Sequence, residues 1–197
     1  AMRELALLRE TGSERALAVA ATGTGKTLMA AFDVQQVQPK KMLFLVHRGI
    51  ILEKAMESFA RVVNIPKNKM GLLTGNKKSY DADYLFATIQ TMKNEFHSYR
   101  PDEFEYIVVD EAHHATSPSY QKVLDHFNPK FLLGMTATPE RSDNGNVFDL
   151  FDNNLAVDIR LRQALEENLL VPFHYYGITD QTGVDLSDER LTPDQIA

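Results

Sequence analysis

The chain has 197 residues, 44% of them hydrophobic, a formal net charge of −6 and no cysteine. That length and apolar content suit one globular domain with a sizeable core, and the missing cysteines exclude a disulfide framework. No apolar run approaches the ~20 residues of a membrane span, so a membrane partner is not expected, and a reducing cytoplasm is the expected location.

In chain order, Met2 to Arg15 is charged throughout and does not read as a leader. Arg15 to Val19 is then mostly aliphatic, a buried strand over Ala16–Ala20. It runs into Ala20 to Thr27, AATGTGKT. This loop is small and glycine-containing, so backbone N–H groups can approach an anion closely. A helix over Thr27 to Val37 follows, with Leu28, Met29, Phe32 and Val37 near helical spacing. Strand, loop and helix in that order are the setting in which a phosphate-cradling P-loop works. Ala21, Thr22, Gly23, Thr24, Gly25, Lys26 and Thr27 are its candidate binding residues. Lys26 would reach the outer phosphates, Thr27 would hold Mg²⁺, and the helix N-terminus would add its dipole. Ala20 stands where the usual pattern has glycine.

Further apolar strands are expected at Met42–Val46, Met70–Leu73, Tyr84–Thr88, Glu105–Val109 and Phe131–Thr136. Ile51, Leu52, Ala55, Met56, Phe59 and Val63 keep one face of a helix between the first two. This alternation predicts an α/β fold, a mostly parallel sheet with helices on both faces. Asp110 and Glu111 end one apolar run, where open α/β sheets bind ligands. Asp110 there suits Mg²⁺, and Glu111 suits orienting or deprotonating a water. His47 and Arg48 end the Met42 run, and Thr88, Gln90 and Thr91 follow the Tyr84 run. Such groups suit phosphate and sugar contacts, which position a polymer without reading its sequence. Thr88 also suits the N-cap of a following helix. Two adjacent histidines, His113 and His114, raise zinc as an alternative, but consecutive residues rarely chelate one ion and cysteine is absent.

After Arg141, Ser142 to Asn146 reads as a polar loop and Phe148 to Phe151 as a short helical turn. Leu155 to Ile159 reads as a strand, Leu161 to Leu169 as a helix and Val171 to Thr179 as a last strand. Gly183 to Ala197 is acidic and weakly apolar. The net charge argues weakly against tight polymer binding, although Lys67 with Lys69 and Lys77-Lys78 cluster basic residues.

Taken together, AATGTGKT, LFLVHR (Leu43 to Arg48), ATIQT (Ala87 to Thr91), DEAHH (Asp110 to His114) and GMTATPER (Gly134 to Arg141) occur in order. The set resembles motifs I, Ia, Ic, II and III of the first motor lobe of the superfamily-two helicases and translocases. It is most similar to the DEAH-containing bacterial group that includes restriction-enzyme motor subunits. The resemblance implies a RecA-like P-loop domain over 1–179, with 180–197 a tail or the start of a linker to a second lobe. It implies ATP and Mg²⁺ as cofactors, catalysis by Lys26, Asp110 and Glu111, and nucleic acid as partner, DNA before RNA. It joins His113 to Thr136 or Thr138, coupling nucleotide state to the polymer face. Arg141 is open between a polymer contact and a carboxylate pair. The family's adenine-reading glutamine has no counterpart before Gln35. Without a second lobe and its arginine finger, this segment alone is expected to bind nucleotide weakly and hydrolyse slowly. Two other readings are a restriction-system motor that pumps duplex DNA and a nucleotide-gated sensor that does not unwind. A GTPase or kinase lacks support, since no Asn-Lys-x-Asp run occurs. An inert scaffold leaves three phosphate-chemistry motifs at strand ends unexplained.

Overall fold

A computed structural model describes residues 1–141 and 146–171. Seven strands form one sheet in the order β3-β4-β2-β5-β6-β1-β7, and every neighbouring pair is parallel. The strands are β1 (Arg15–Ala20), β2 (Met42–Val46), β3 (Met70–Leu73), β4 (Tyr84–Thr88), β5 (Tyr106–Asp110), β6 (Phe131–Thr136) and β7 (Leu155–Ile159). The helices are α1 (Met2–Glu10), α2 (Lys26–Val37), α3 (Leu52–Val62), α4 (Ile89–Glu95), α5 (Pro118–Leu124), α6 (Val147–Leu150) and α7 (Leu161–Glu166).

Parallel strands covered on both faces must be apolar on both, and the sequence supplies that. Strands β1 to β6 feed two cores by alternation, while β7 adds Ala156 and Val157 to one of them. Met42, Phe44 and Val46 of β2 pack with Ala30, Phe59 and Phe86 on the face covered by α1, α2 and α3. Leu43 and Leu45 pack on the opposite face with Met92, Tyr120 and Val147 from α4, α5 and α6. Helix α3 buries Leu52, Ala55 and Phe59 at spacings of three and four, as the sequence periodicity predicts. Phe59 meets Phe44 and Phe86 edge-on at 5.4 and 5.3 Å between ring centres. Such aromatic pairs add about 0.5–1.5 kcal/mol each beyond burial.

Strand β1 lies between β6 and β7, while the chain leaves it for β2 on the far side of β5 and β6. That reversal is a topological switch point, the place where such sheets bind ligands beyond their carboxyl ends. The parallel order brings the loops after β4, β2, β5, β6 and β1 onto one edge, side by side.

The predicted strands fall where expected, the acidic one starting a residue later at Tyr106 and including Asp110. Helix α1 was not anticipated. It is fastened by Arg9, whose guanidinium donates to both oxygens of buried Asp33 on α2 at 2.6 and 2.8 Å. Tyr106 of β5 donates a third hydrogen bond to Asp33 at 2.5 Å. Opposite, the tip of the Phe151 ring points at Gly134 of β6, where a Cβ would come within 2.3 Å of it. Residues 142–145 of the predicted loop Ser142 to Asn146 and residues 172–179 of the predicted last strand Val171 to Thr179 lie outside the described residues, as does the domain boundary near 179.

Candidate active site

The loop after β1 turns through two glycines, Gly23 at φ +88° and Gly25 at φ +89°, the second capping α2. L side chains rarely adopt that backbone. A Cβ on Gly25 would meet nothing within 4 Å, so its surface is open to a ligand. The first-turn N–H groups of α2, Lys26 and Thr27 among them, have no carbonyl acceptor within the helix. Of the predicted binding set, Thr24 and Ala21 do not line the cleft, and Ala21 faces the sheet. Its N–H donates to the Ile159 carbonyl of β7 at 2.9 Å, and its carbonyl accepts from Thr24 Oγ1 at 2.7 Å. Ala21 therefore anchors the loop to the sheet, while Thr22, Gly23, Gly25, Lys26 and Thr27 line the open cleft with Asp110 and Glu111.

Lys26 Nζ donates to the carbonyls of Ala20 and Ala21 at 2.9 and 3.2 Å. Burial lowers its pKa, and the nearby Asp110 and Glu111 carboxylates oppose that. Asp110 faces the converse problem. Burial raises its carboxyl, with Glu111 adding, while the Glu111 N–H (3.0 Å to Oδ1) and Lys26 pull it back down. A cation beside a desolvated carboxylate, with the glycine loop and the α2 N-terminus opening onto the same cleft, fits a triphosphate with a divalent ion. Mg²⁺ in phosphate sites commonly uses one or two protein groups, with phosphate and water completing its shell. Thr27 and Asp110 are placed to be those groups. No group of three or more His, Cys, Asp or Glu among the described residues is arranged to hold an ion.

Glu111 sits at φ +53°, ψ +50°. A non-glycine residue in this region is held there by its surroundings at a cost of order 1–3 kcal/mol, a device typical of active sites. The turn swings its carboxylate to the cleft and starts the 3-10 turn Ala112–His114. His113 Nδ1 then lies 3.0 Å from Thr136 Oγ1 and 3.4 Å from Glu111 Oε2. Thr136 is fully buried, and its Oγ1 also accepts the Thr138 N–H at 3.2 Å. Of the two hydroxyls predicted to meet His113, Thr136 makes the contact and Thr138 joins through its backbone.

Of the candidate polymer contacts, His47, Arg48 and Gln90 are exposed at the ends of β2 and β4. Thr88 is buried and caps α4, accepting from the Thr91 N–H at 3.3 Å and bonding the Thr91 hydroxyl at 2.9 Å. Those two hydroxyls hold the loop, and the exposed groups are the ones available to a ligand. Arg141 ends the short turn Pro139–Arg141, and its side chain lies outside the described residues.

Sequence reasoning overlooked Lys54 and Ser58 of α3, which line the same cleft beside Ile51 and Ala55. Their spacing of four residues was the available signal, on the flank of a helix read for its apolar face alone. Among the described residues no helix is long and apolar enough to cross a membrane.

Comparison with known proteins bears on the fold and the family. A subunit of the type I restriction enzyme EcoAI endonuclease from Escherichia coli is 27% identical over 200 residues, 93% of this chain and 24% of that protein. The ATP-dependent DNA helicase mph1 of Sclerotinia sclerotiorum is 28% identical over 188 residues, 86% of this chain and 15% of that protein. The chain thus spans about a quarter of the first and less of the second. The crystal structure of the Pyrococcus furiosus Hef helicase domain superposes with a TM-score of 0.65 at 23% identity, covering 80% of this chain and 37% of that one. The fold is that of the RecA-like helicase domains. Residues 1–141 match the family model described as type III restriction enzyme, res subunit, and the chain belongs to that family.

Proposed function

We propose that this chain is the ATP-binding lobe of a DEAH-type nucleic-acid motor that couples ATP hydrolysis to movement on a polymer, DNA before RNA. The observation that carries the reading is the convergence, on one sheet edge, of the glycine loop, Lys26, Asp110 and Glu111. The amides of Thr22, Gly23, Gly25, Lys26 and Thr27, at the α2 N-terminus, bind the phosphates. Lys26 leaves its two carbonyl partners for the outer phosphate oxygens. Thr27 and Asp110 hold Mg²⁺, which neutralises phosphate charge when bound. Glu111 orients and deprotonates the attacking water. His113 ties Glu111 to Thr136, so a change at the acidic motif is felt on β6. His47, Arg48 and Gln90 face the polymer backbone, with Thr88 and Thr91 holding their loop.

The likeness to a restriction endonuclease subunit and a DNA helicase supports DNA, while an RNA helicase from Methanocaldococcus jannaschii, 31% identical over 79% of this chain, keeps RNA as an arm of the test. The small share of each relative that this chain spans supports a second lobe in the complete protein, which supplies an arginine finger and closes on the nucleotide. A duplex-pumping restriction motor is the same reading without strand separation, and the likeness to the EcoAI subunit favours keeping it.

The test is ATP hydrolysis by the full-length protein with duplex DNA, single-stranded DNA, RNA or no polymer, alongside strand-displacement assays. Stimulation by one polymer names the substrate, and displacement separates a helicase from a translocase. ATP binding without stimulation by any polymer would overturn the motor reading in favour of a nucleotide-gated sensor.

A further inference from the structure

We propose that His114 is a positioning residue that relays the state of the acidic motif to the polymer-facing loop after β2. The inference rests on the motor reading above and adds a second route to the His113–Thr136 contact. Strand β5 has two neighbours in the sheet, β6 on one side and β2 on the other. The left-handed Glu111 ends β5 abruptly, and a 3-10 turn of three residues per revolution follows. Consecutive side chains on such a turn diverge by about a third of a revolution, so His113 and His114 cannot point the same way. His113 reaches β6 at Thr136. His114 reaches the other neighbour, where its ring stacks on His47 with centres 4.6 Å apart and planes at 28°. The two turn histidines also touch each other, with ring centres 4.1 Å apart.

The stack lies at a junction. His47 directly precedes Arg48, and a Cβ on Gly49 would sit 3.4 Å from Thr88 Cγ2, so the β2 and β4 loops pack together there. A contact path therefore runs from Glu111 through His113 and His114 to His47 and the exposed Arg48. Burial, with His114 and Arg48 adding, holds His47 below its ordinary imidazole range. A rearrangement of Glu111 on hydrolysis would tilt His114 and move the loop that bears Arg48.

The experiment compares His114→Ala and His114→Phe with wild type in the full-length protein. It measures ATP hydrolysis against duplex DNA concentration, or against whichever polymer stimulates the wild type, with thermal melting of each variant. His114→Ala should keep the unstimulated rate and the half-maximal polymer concentration within about twofold, and lose about fivefold or more of the maximal stimulated rate. His114→Phe keeps a flat ring for stacking and should recover at least half of the stimulation. Wild-type stimulation in His114→Ala would overturn the relay. So would a fall in both rates by one factor, the mark of a structural role, or failure of His114→Phe to recover when it melts like wild type. A wild-type protein that no polymer stimulates would instead overturn the motor reading itself.

Discussion

Replacing Arg9 by alanine should destabilise the chain far more than losing any surface ion pair. Its partner Asp33 has no exposed side-chain surface, while Arg9 keeps 19%. Two guanidinium bonds and the Tyr106 hydroxyl satisfy that carboxylate, and the guanidinium also lies 5.0 Å from the Phe131 ring centre. Removing one partner of a buried ion pair costs about 3–5 kcal/mol, because the other charge stays buried. At roughly 2–4 °C per kcal/mol for a domain of this size, Tm should fall by about 6–20 °C. The exposed pair Lys77–Glu53, with 56% and 63% of each side chain accessible, supplies the contrast. Lys77→Ala should leave the melting temperature nearly unchanged. Thermal and urea unfolding of the 197-residue chain, followed by far-UV circular dichroism, measure both. A triple variant, Arg9→Met with Asp33→Leu and Tyr106→Phe, should recover much of the loss, since no buried charge remains. A cost below about 1 kcal/mol for Arg9→Ala would refute the reasoning. The clamp matters to the site because α2 begins at Lys26 and β5 ends at Asp110. Loosening their junction should also weaken nucleotide binding.

Two further predictions follow from local geometry. Gly134→Ala places a methyl 2.3–2.8 Å from three Phe151 ring atoms in a filled core, so it should cost about 1–3 kcal/mol, and Phe151→Leu in that background should restore part of it. Asp110→Asn should raise Tm in the absence of nucleotide and Mg²⁺ while abolishing hydrolysis. Burial raises the folded-state pKa of Asp110, so its charge costs nothing below the unfolded value near 4, and the cost builds as pH rises from there and is complete above the folded value. Melting of both proteins across that pH range checks the sign: the advantage of Asn should grow with pH, and equal melting at pH 7 would contradict it.

The fold was legible because burial on both faces writes each parallel strand as a continuous apolar run. Met42–Val46 and Phe131–Thr136 have no solvent face to confuse the pattern. The glycine loop and the acidic pair were legible because few residue types tolerate their backbone or supply their charge. What stayed hidden depends on partners distant in sequence. Arg9 and Asp33 are 24 positions apart and Tyr106 a further 73, so nothing in their own segments announces a shared buried charge. Helix α1 carries its charges at its two ends around the unbroken run Leu5-Ala6-Leu7-Leu8, of which Leu5 alone is fully buried, which left little periodicity to read. The direction of Ala21, whose N–H turns to β7, follows from a strand 138 residues downstream. The His47–His114 stack requires β2 beside β5, which topology decides and sequence order conceals.

The central claim is that Glu111 activates water beside a nucleotide held by Lys26 and Thr27. The most direct test is single-turnover ATP hydrolysis and ATP binding by the full-length protein and its Glu111→Gln variant, with the stimulating polymer present. The account predicts near wild-type ATP affinity in the variant and a hydrolysis rate lower by about 10²-fold or more. A variant that hydrolyses ATP within a few-fold of wild type, or one that no longer binds ATP, would contradict it.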